Sequence, residues 1–258
     1  MKFPDAMTTP PVPASPEKSR IPVMFSATGS WGLPLGVAIH TLCLHAGSGR
    51  FYDIHIVHDG MDARIIQELN RVAAPFPQVS LSFLQLPEEF RLLFQNGNKD
   101  RYSPLAYARL MAGSLFPQYG RIVYLDADVL LAGDVAELYF SDLRGASVAA
   151  AGDGLALWSI EKGTMHPHLE YMGNYLSSPL SYCNSGVLVL DLDQMRRRNL
   201  EHRLLQQLRN RPEPFPYPDQ DILNIALHGD MTTLPPEWNF QFLSWTWDEE
   251  KTRLLRNL

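Results

Sequence analysis

Apolar residues along this chain fall into short runs of period two and longer runs of period near 3.6, punctuated by turn residues. IPVMFSA (21–27) is a short apolar run broken by TGSWG, and helical spacing follows in LPLGVAIHTLCLHA (33–46). FYDIHIVHDG (51–60) alternates as a strand and stops at Asp59-Gly60. MDARIIQELNRVAA (61–74) has helical composition and is closed by Pro75, and VSLSFLQL (79–86) alternates again. SPLAYARLMAGSLF (103–116) carries a helix-start signature, with Ser103 as N-cap and Pro104 at the first helical position. RIVYL (121–125), ASVAAAGD (146–153) and SGVLVLDL (185–192) read as further strands. VAELYF (135–140) reads as a short helix, and longer helices are expected over 193–209 and 216–229.

Strand–helix alternation of this kind implies an α/β fold with a mostly parallel central sheet and helices on both faces. Such sheets bind ligands outside the carboxyl ends of their strands. The polar residues at those ends are Thr28-Gly29-Ser30 after the first strand, Asp126 and Asp128 after the fourth and Asp153 after the fifth. They are expected to gather on one rim. No internal repeat and no second domain is read.

Composition narrows the class. Of 258 residues, 45% are hydrophobic and 19% charged, as in an ordinary globular enzyme. The formal net charge of −6 argues against a nucleic-acid partner, which calls for a basic stripe. Cys43 and Cys183 stand far apart in apolar surroundings and form no paired-cysteine motif, which favours a reducing compartment. Residues 1–20 are rich in proline, lack an apolar signal core and read as a flexible leader before one domain over 21–258. No apolar run reaches bilayer-spanning length. The expected location is the cytoplasm, with peripheral contact at the inner face of the membrane left open.

The candidate chemistry lies in RIVYLDADVLL (121–131), where two carboxylates one residue apart come directly after a buried-type strand. Aspartates at i and i+2 where a strand gives way to a turn can aim oxygens at one point, and hard divalent cations take oxygen ligands. The alternative is a solvated turn in which Asp128 caps the next segment.

RIVYLDADVLLAGDVAELY resembles the donor-site segment of glycosyltransferase family 8, the retaining nucleotide-sugar transferases of the lipooligosaccharide galactosyltransferase and glycogenin type. SPLAYARL (103–110), YCNSGVLVLDL (182–192) and DQDILN (219–224) resemble three further segments of that family, in its order and with plausible spacing over residues 21–240. The resemblance implies a single-domain fold of the GT-A type that usually works with Mn2+, with Mg2+ as the alternative ion. It implies a nucleotide-sugar donor, UDP by default, and a glycan or glycolipid acceptor. By position, Asp126 and Asp128 are the implied metal ligands, with Asp126 and the intervening Ala127 near the sugar. Arg109 is the implied donor-contacting arginine; otherwise it is a surface helix residue. Asn184, Ser185 and Gly186 resemble a sugar-binding turn, or form an ordinary polar turn. Asp219 and Gln220 resemble the pair beside the anomeric carbon, where helix capping is an equal use of them. Asp153 is an additional carboxylate on the acceptor or sugar side, or a solvated strand end.

The chain departs from the family pattern in two places. Where an acidic residue commonly contacts the nucleotide base, this sequence has Ala27-Thr28-Gly29-Ser30-Trp31, in which Thr28 and Ser30 can hydrogen-bond and Trp31 can stack. The family's closing His-x-Gly-x-x-Lys-Pro segment, with a third metal ligand and a cation for the diphosphate, has no counterpart before Leu258, which reads as truncation. Two other readings stand beside the transferase: a non-catalytic nucleotide-sugar binder or scaffold of the same fold, and a metal-dependent nucleotidyltransferase. His166-Pro167-His168 reads as a loop, and the aromatic FPYP and WNFQFLSWTW stretches as core packing with some exposed rings, or as the lining of an acceptor groove.

Overall fold

A computed structural model of the chain describes residues 19–93, 103–209 and 215–241. Seven strands occur in chain order: β1 (Ser19–Ser26), β2 (Arg50–His58), β3 (Val79–Gln85), β4 (Arg121–Leu125), β5 (Val148–Gly152), β6 (Cys183–Asp191) and β7 (Met231–Leu234). The helices are α1 (Gly32–His45), α2 (Ala63–Ala73), α3 (Glu88–Leu93), α4 (Ala112–Leu115), α5 (Val135–Tyr139), α6 (Gly154–Lys162), α7 (Pro167–Met172), α8 (Leu192–Arg197), α9 (Leu200–Arg209) and α10 (Pro218–Ala226). The leader residues 1–18 and residues 242–247 of the aromatic stretch lie outside the described residues.

The strands form one sheet in the order β3-β2-β1-β4-β6-β5-β7. Every neighbouring pair is parallel except those made by β6, which runs antiparallel to both β4 and β5. The reversal matters for function. In a parallel sheet one rim carries only strand ends, but Val187 near the start of β6 pairs with Leu125 at the end of β4. The residues that open β6, Cys183 to Gly186, therefore sit on the rim where β4 and β5 finish. Strand β7 and helices α3 and α7 were not read from the sequence because they are too short to display a clear period. Helix α6 was not because its apolar residues run consecutively over 155–158 instead of forming a stripe.

Both sheet faces are covered, so successive strand residues serve different cores. Leu188 and Leu190 pack on one side with residues of α8, α9 and α10, among them Leu192, Met195, Leu204 and Ile222. Val187 and Val189 pack on the other with Leu35, Ile39 and Leu42 of α1 and Leu69 of α2. Burial on two faces is why these strands read as continuous apolar runs. Asp62 caps α2, accepting the Arg64 N–H at 2.7 Å.

One predicted helix changes character. Ser103 does cap the segment, accepting the Leu105 N–H at 3.2 Å, but Pro104–Met111 winds as a 3₁₀-helix before α4 continues it. Leu105 and all of Tyr107 to Met111 are buried, so packing on every side replaces the amphipathic stripe that would favour 3.6 residues per turn. His166-Pro167-His168 also departs from its expected loop. His166 is the N-cap of α7 and accepts the His168 N–H at 3.2 Å, with Pro167 opening the helix.

A polar cluster occupies the sheet face beneath the Phe116–Tyr119 turn. Arg20 donates to both Asp53 oxygens at 2.8 and 2.7 Å, and His55 meets Ser82 Oγ at 2.5 Å and the Tyr119 hydroxyl at 3.0 Å. Burial pushes the His55 imidazole down to about 4, against the attraction of Asp53. Between that value and the ordinary 6.5 the unfolded chain binds a proton that the folded chain refuses, so the stability His55 contributes above pH 6.5 is lost as pH falls toward 4. The melting temperature of the wild type is therefore expected to fall more steeply over that window than that of His55→Gln. Parallel curves would show that His55 titrates alike in both states.

Candidate functional site

The rim is organised around Arg109, which the 3₁₀ segment delivers to the ends of β4 and β6 and which is only 7% exposed. Its Nη2 lies 2.9 Å from Asp126 Oδ1, and its Nε lies 3.3 Å from Asp219 Oδ2 and donates to the Ala106 carbonyl at 2.9 Å. Its Nη1 donates to the Ser185 carbonyl at 2.7 Å and to Ser185 Oγ at 3.1 Å. The guanidinium stacks 4.3 Å over the Tyr124 ring. Burial disfavours the charge, but Asp126, Tyr124 and Asp219 more than offset it, so Arg109 stays protonated above the usual arginine range. The planar fork is used inward on four partners.

Asp126 continues β4 by one more ladder bond, its N–H donating to the Gly186 carbonyl at 2.8 Å. Its Oδ1 accepts from the Tyr124 hydroxyl at 2.8 Å, and that hydroxyl meets Ser26 Oγ at 2.9 Å. Its Oδ2 faces Gly186, where an added Cβ would lie 2.7 Å away. Only glycine leaves this carboxylate its place, since the two bonds on Oδ1 keep it from swinging aside. Asp128 is exposed one turn residue further, beyond buried Ala127. Partial shielding from water, and then the negative charge of Asp126, push the Asp128 carboxyl above its ordinary range. Two hard oxygen donors that repel each other fit a divalent cation that leaves other positions for water or phosphate oxygens. Among the described residues, no group of three His, Cys, Asp or Glu converges on one point.

Helix α10 supplies the opposite wall. Ser185 Oγ donates to Asp219 Oδ2 at 3.0 Å, and the side-chain carbonyl of Gln220 accepts the Ser185 N–H at 2.9 Å. Gln220 also donates to Asp153 Oδ2 at 3.0 Å, an oxygen that Asn184 Nδ2 shares at 3.0 Å. Burial raises the Asp219 carboxyl, against the pull of Arg109. Asp153 is both cap and site residue: its Oδ1 accepts the Leu155 N–H at the start of α6. Asn184 Oδ1 accepts from the Gly186 N–H and from Asn239 Nδ2, each at 2.8 Å.

Eight of the residues singled out in the sequence, Arg109, Asp126, Asp153, Asn184, Ser185, Gly186, Asp219 and Gln220, thus form one bonded cluster. Ala27, Thr28, Ser30 and Trp31 lie apart from it at the end of β1. Thr28 and Ser30 bond each other at 2.7 Å, Ala27 donates to the Val57 carbonyl, and Trp31 is 45% exposed. The link from β1 to the cluster is Ser26, through Tyr124.

Several contributors were missed. Asn224, one helical turn after Gln220, accepts the Cys183 N–H and donates to the Cys183 carbonyl, both at 2.8 Å, and so pins the start of β6 to α10. Gln241 accepts the Gly154 N–H at 2.8 Å and donates to the Gly152 carbonyl at 3.1 Å. Period could have found Tyr124, which shares a strand face with Asp126; nothing local marks Gln241. Of the aromatic stretches, Phe215 is buried, while Tyr217 and Phe240 are exposed. Among the described residues no helix is long and apolar enough to cross a membrane.

Known proteins share the family and the fold of this chain. The family described as Glycosyl transferase family 8 matches residues 22–256. A lipopolysaccharide 1,2-glucosyltransferase of Escherichia coli K12 is 34% identical over 142 residues, 54% of this chain and 39% of that protein. The chain thus spans well under half the length of that relative. General stress protein A of Bacillus subtilis 168 is 22% identical over 85% of this chain and 73% of its own. Among solved structures, an active-site mutant of LgtC superposes with a TM-score of 0.68 at 20% identity, covering 84% of this chain and 73% of that one. The bifunctional glycosyltransferase WbbM superposes with a TM-score of 0.73 at 24% identity, over 95% of this chain and 45% of its own. These likenesses show a shared GT-A fold. With the family match spanning nearly the whole sequence, the chain belongs to glycosyltransferase family 8.

Proposed function

We propose that the protein transfers a hexose from a nucleotide diphosphate sugar, UDP-linked by default, to a hydroxyl of a glycan or glycolipid acceptor, with retention at the anomeric carbon. The observation that carries this reading is the bonded cluster on one rim, which ties Asp126 to Asp219 and Gln220 through Arg109 and Ser185. An acceptor in lipopolysaccharide or a related glycan fits the activity for which the E. coli relative is named.

Asp126 and Asp128 would hold the divalent cation, Mn2+ or Mg2+, which supplies positive charge against the departing diphosphate. Arg109 balances the charge of Asp126 and Asp219 and fixes both side chains, so their oxygens are oriented before the donor arrives. Asp153, Asn184 and Ser185 present carboxylate, amide and hydroxyl groups suited to sugar hydroxyls. Gln220 has its amide committed to Ser185 and Asp153, and an amide is a poor nucleophile compared with the carboxylate of a retaining glycosidase. Front-face attack by the acceptor hydroxyl, with the leaving phosphate taking its proton, is the pathway these residues favour. Thr28, Ser30 and Trp31 follow the end of β1, and there a hydroxyl pair and an exposed indole would meet the nucleotide base.

The test is incubation with a panel of UDP-hexoses and glycan acceptors in Mn2+, with the product anomer assigned by proton NMR. A product of the donor's own anomeric configuration, with UDP released, is expected. In a parallel incubation with UTP and hexose 1-phosphates, formation of UDP-hexose with pyrophosphate release would identify a nucleotidyltransferase, and tight UDP binding with no donor consumed would identify a binding protein.

A further inference from the structure

Asp221 is the most deeply buried acid near the site, 0% exposed, and a carboxylate in that position is tolerable only when its oxygens are fully bonded. Its donors come from separate elements. The Tyr182 hydroxyl, just before β6, donates to Oδ1 at 2.5 Å, and His168 Nε2, on α7, lies 2.9 Å from the same oxygen. A carboxylate offers only acceptors, so Nε2 carries the proton. The Tyr217 N–H donates to Oδ2 at 3.1 Å, and the Asp221 N–H donates back to the Tyr217 carbonyl at 2.7 Å.

The first turn of α10 has no side-chain cap at Tyr217, so Asp221 closes it instead. Asp219 and Gln220 lie inside that closed turn, and both side chains reach Ser185. Any tilt of the turn moves both. The His168 ring also packs edge-on against Tyr217 at 4.8 Å and Tyr182 at 5.4 Å, so it spans the gap between α7, α10 and the entry to β6.

We propose that His168 is a positioning residue: its bond to Asp221 fixes the first turn of α10, and through that turn it sets where Asp219 and Gln220 stand in the site. The catalytic consequence rests on the transferase reading above, but the geometric claim does not. The Ser185 N–H, which bonds Gln220 at 2.9 Å, reports the placement directly.

The experiment compares His168→Phe, which keeps the aromatic packing but removes the donor, with His168→Gln, which restores one. Hydrogen exchange at the Ser185 amide, UDP affinity and steady-state kinetics are measured well below each variant's melting temperature. In His168→Phe, Ser185 exchange is expected to rise about tenfold or more. UDP affinity stays at the wild-type level, and kcat falls by about 10- to 100-fold with donor KM little changed. His168→Gln recovers most of the protection and of kcat. A purely structural histidine would lower the melting temperature of both variants and leave the folded enzymes' kcat intact. Unchanged Ser185 exchange in His168→Phe, or no recovery in His168→Gln, overturns the proposal. Should His168→Phe fail to fold, Tyr182→Phe, which removes the other side-chain donor from Asp221, carries the same exchange readout. Should the wild type consume no donor, the transferase reading falls while the exchange measurement still decides the positioning claim.

Discussion

Methionine in place of Arg109 is expected to destabilise the protein by about 3–5 kcal/mol, the cost of removing one partner from a buried charge cluster. The residue is 7% exposed, and its loss strands Asp219, 8% exposed, and frees Asp126 from its strongest partner. Methionine fills the stem volume but returns neither the bonds to Ser185 nor the stacking on Tyr124. For a chain of this size the melting temperature should fall by roughly 10 °C. The deficit should shrink at acidic pH, because Asp219, whose carboxyl burial already raises, can then take a proton and lie neutral. Lysine should rescue little, since one ammonium cannot reach Asp126, Asp219 and Ser185 together as the fork does. Calorimetry at neutral and acidic pH checks this. A fall of only about 2 °C would mean that half-buried Asp126 rehydrates and the cluster closes without its centre.

Asp126→Asn and Asp128→Asn are each expected to abolish the enhancement of UDP binding by Mn2+ and to lower kcat/KM by about 10²- to 10³-fold. Titration calorimetry of UDP with and without the ion reads the first effect, and donor turnover the second. The two variants separate in stability. Asp126→Asn weakens the ion pair to Arg109, so that protein should melt a few degrees lower. Asp128→Asn removes a carboxylate that partial burial, and then the charge of Asp126, disfavour, and that variant should melt at or slightly above the wild-type temperature. UDP binding that ignores both the ion and the substitutions would return the pair to an acidic turn.

Much of this was legible before any tertiary structure. Alternation located β2 and β3, short apolar runs ended by turn or acidic residues located β1, β4, β5 and β6, and helical spacing or composition located α1, α2 and α10, to within a few residues. The reason is that an element that buries one face repeats at the pitch of that face, while a strand buried on both faces is apolar throughout. The Asp126-x-Asp128 pair stood out because charge directly behind a buried strand is costly. Asn184 to Gly186 and Asp219-Gln220 stood out through the resemblance to the family's segments, since a polar turn and a helix cap are ordinary uses of such residues. The rule for strand ends put Asp126 and Asp128 on one rim with Asp153 and with Thr28 to Ser30, but it gave no such place to Asn184 at the start of β6 or to Asp219-Gln220 at the start of α10.

What the sequence could not carry was direction and depth. Nothing local distinguishes an antiparallel β6 from a parallel one, since both-face burial makes it apolar either way; only pairing with β4 and β5 reverses it and brings Asn184 and Ser185 beside Asp126. Arg109 reads as a helix residue whose partners are unknown. It becomes the centre of the site because packing on all sides winds its segment as a 3₁₀-helix and directs the guanidinium inward. His168 and Asp221 are 53 positions apart, and their bond exists only because α7 and α10 close on the entry to β6. Period is a property of single elements and is written locally, whereas strand direction, burial of charge and long-range bonds are decided by which elements meet.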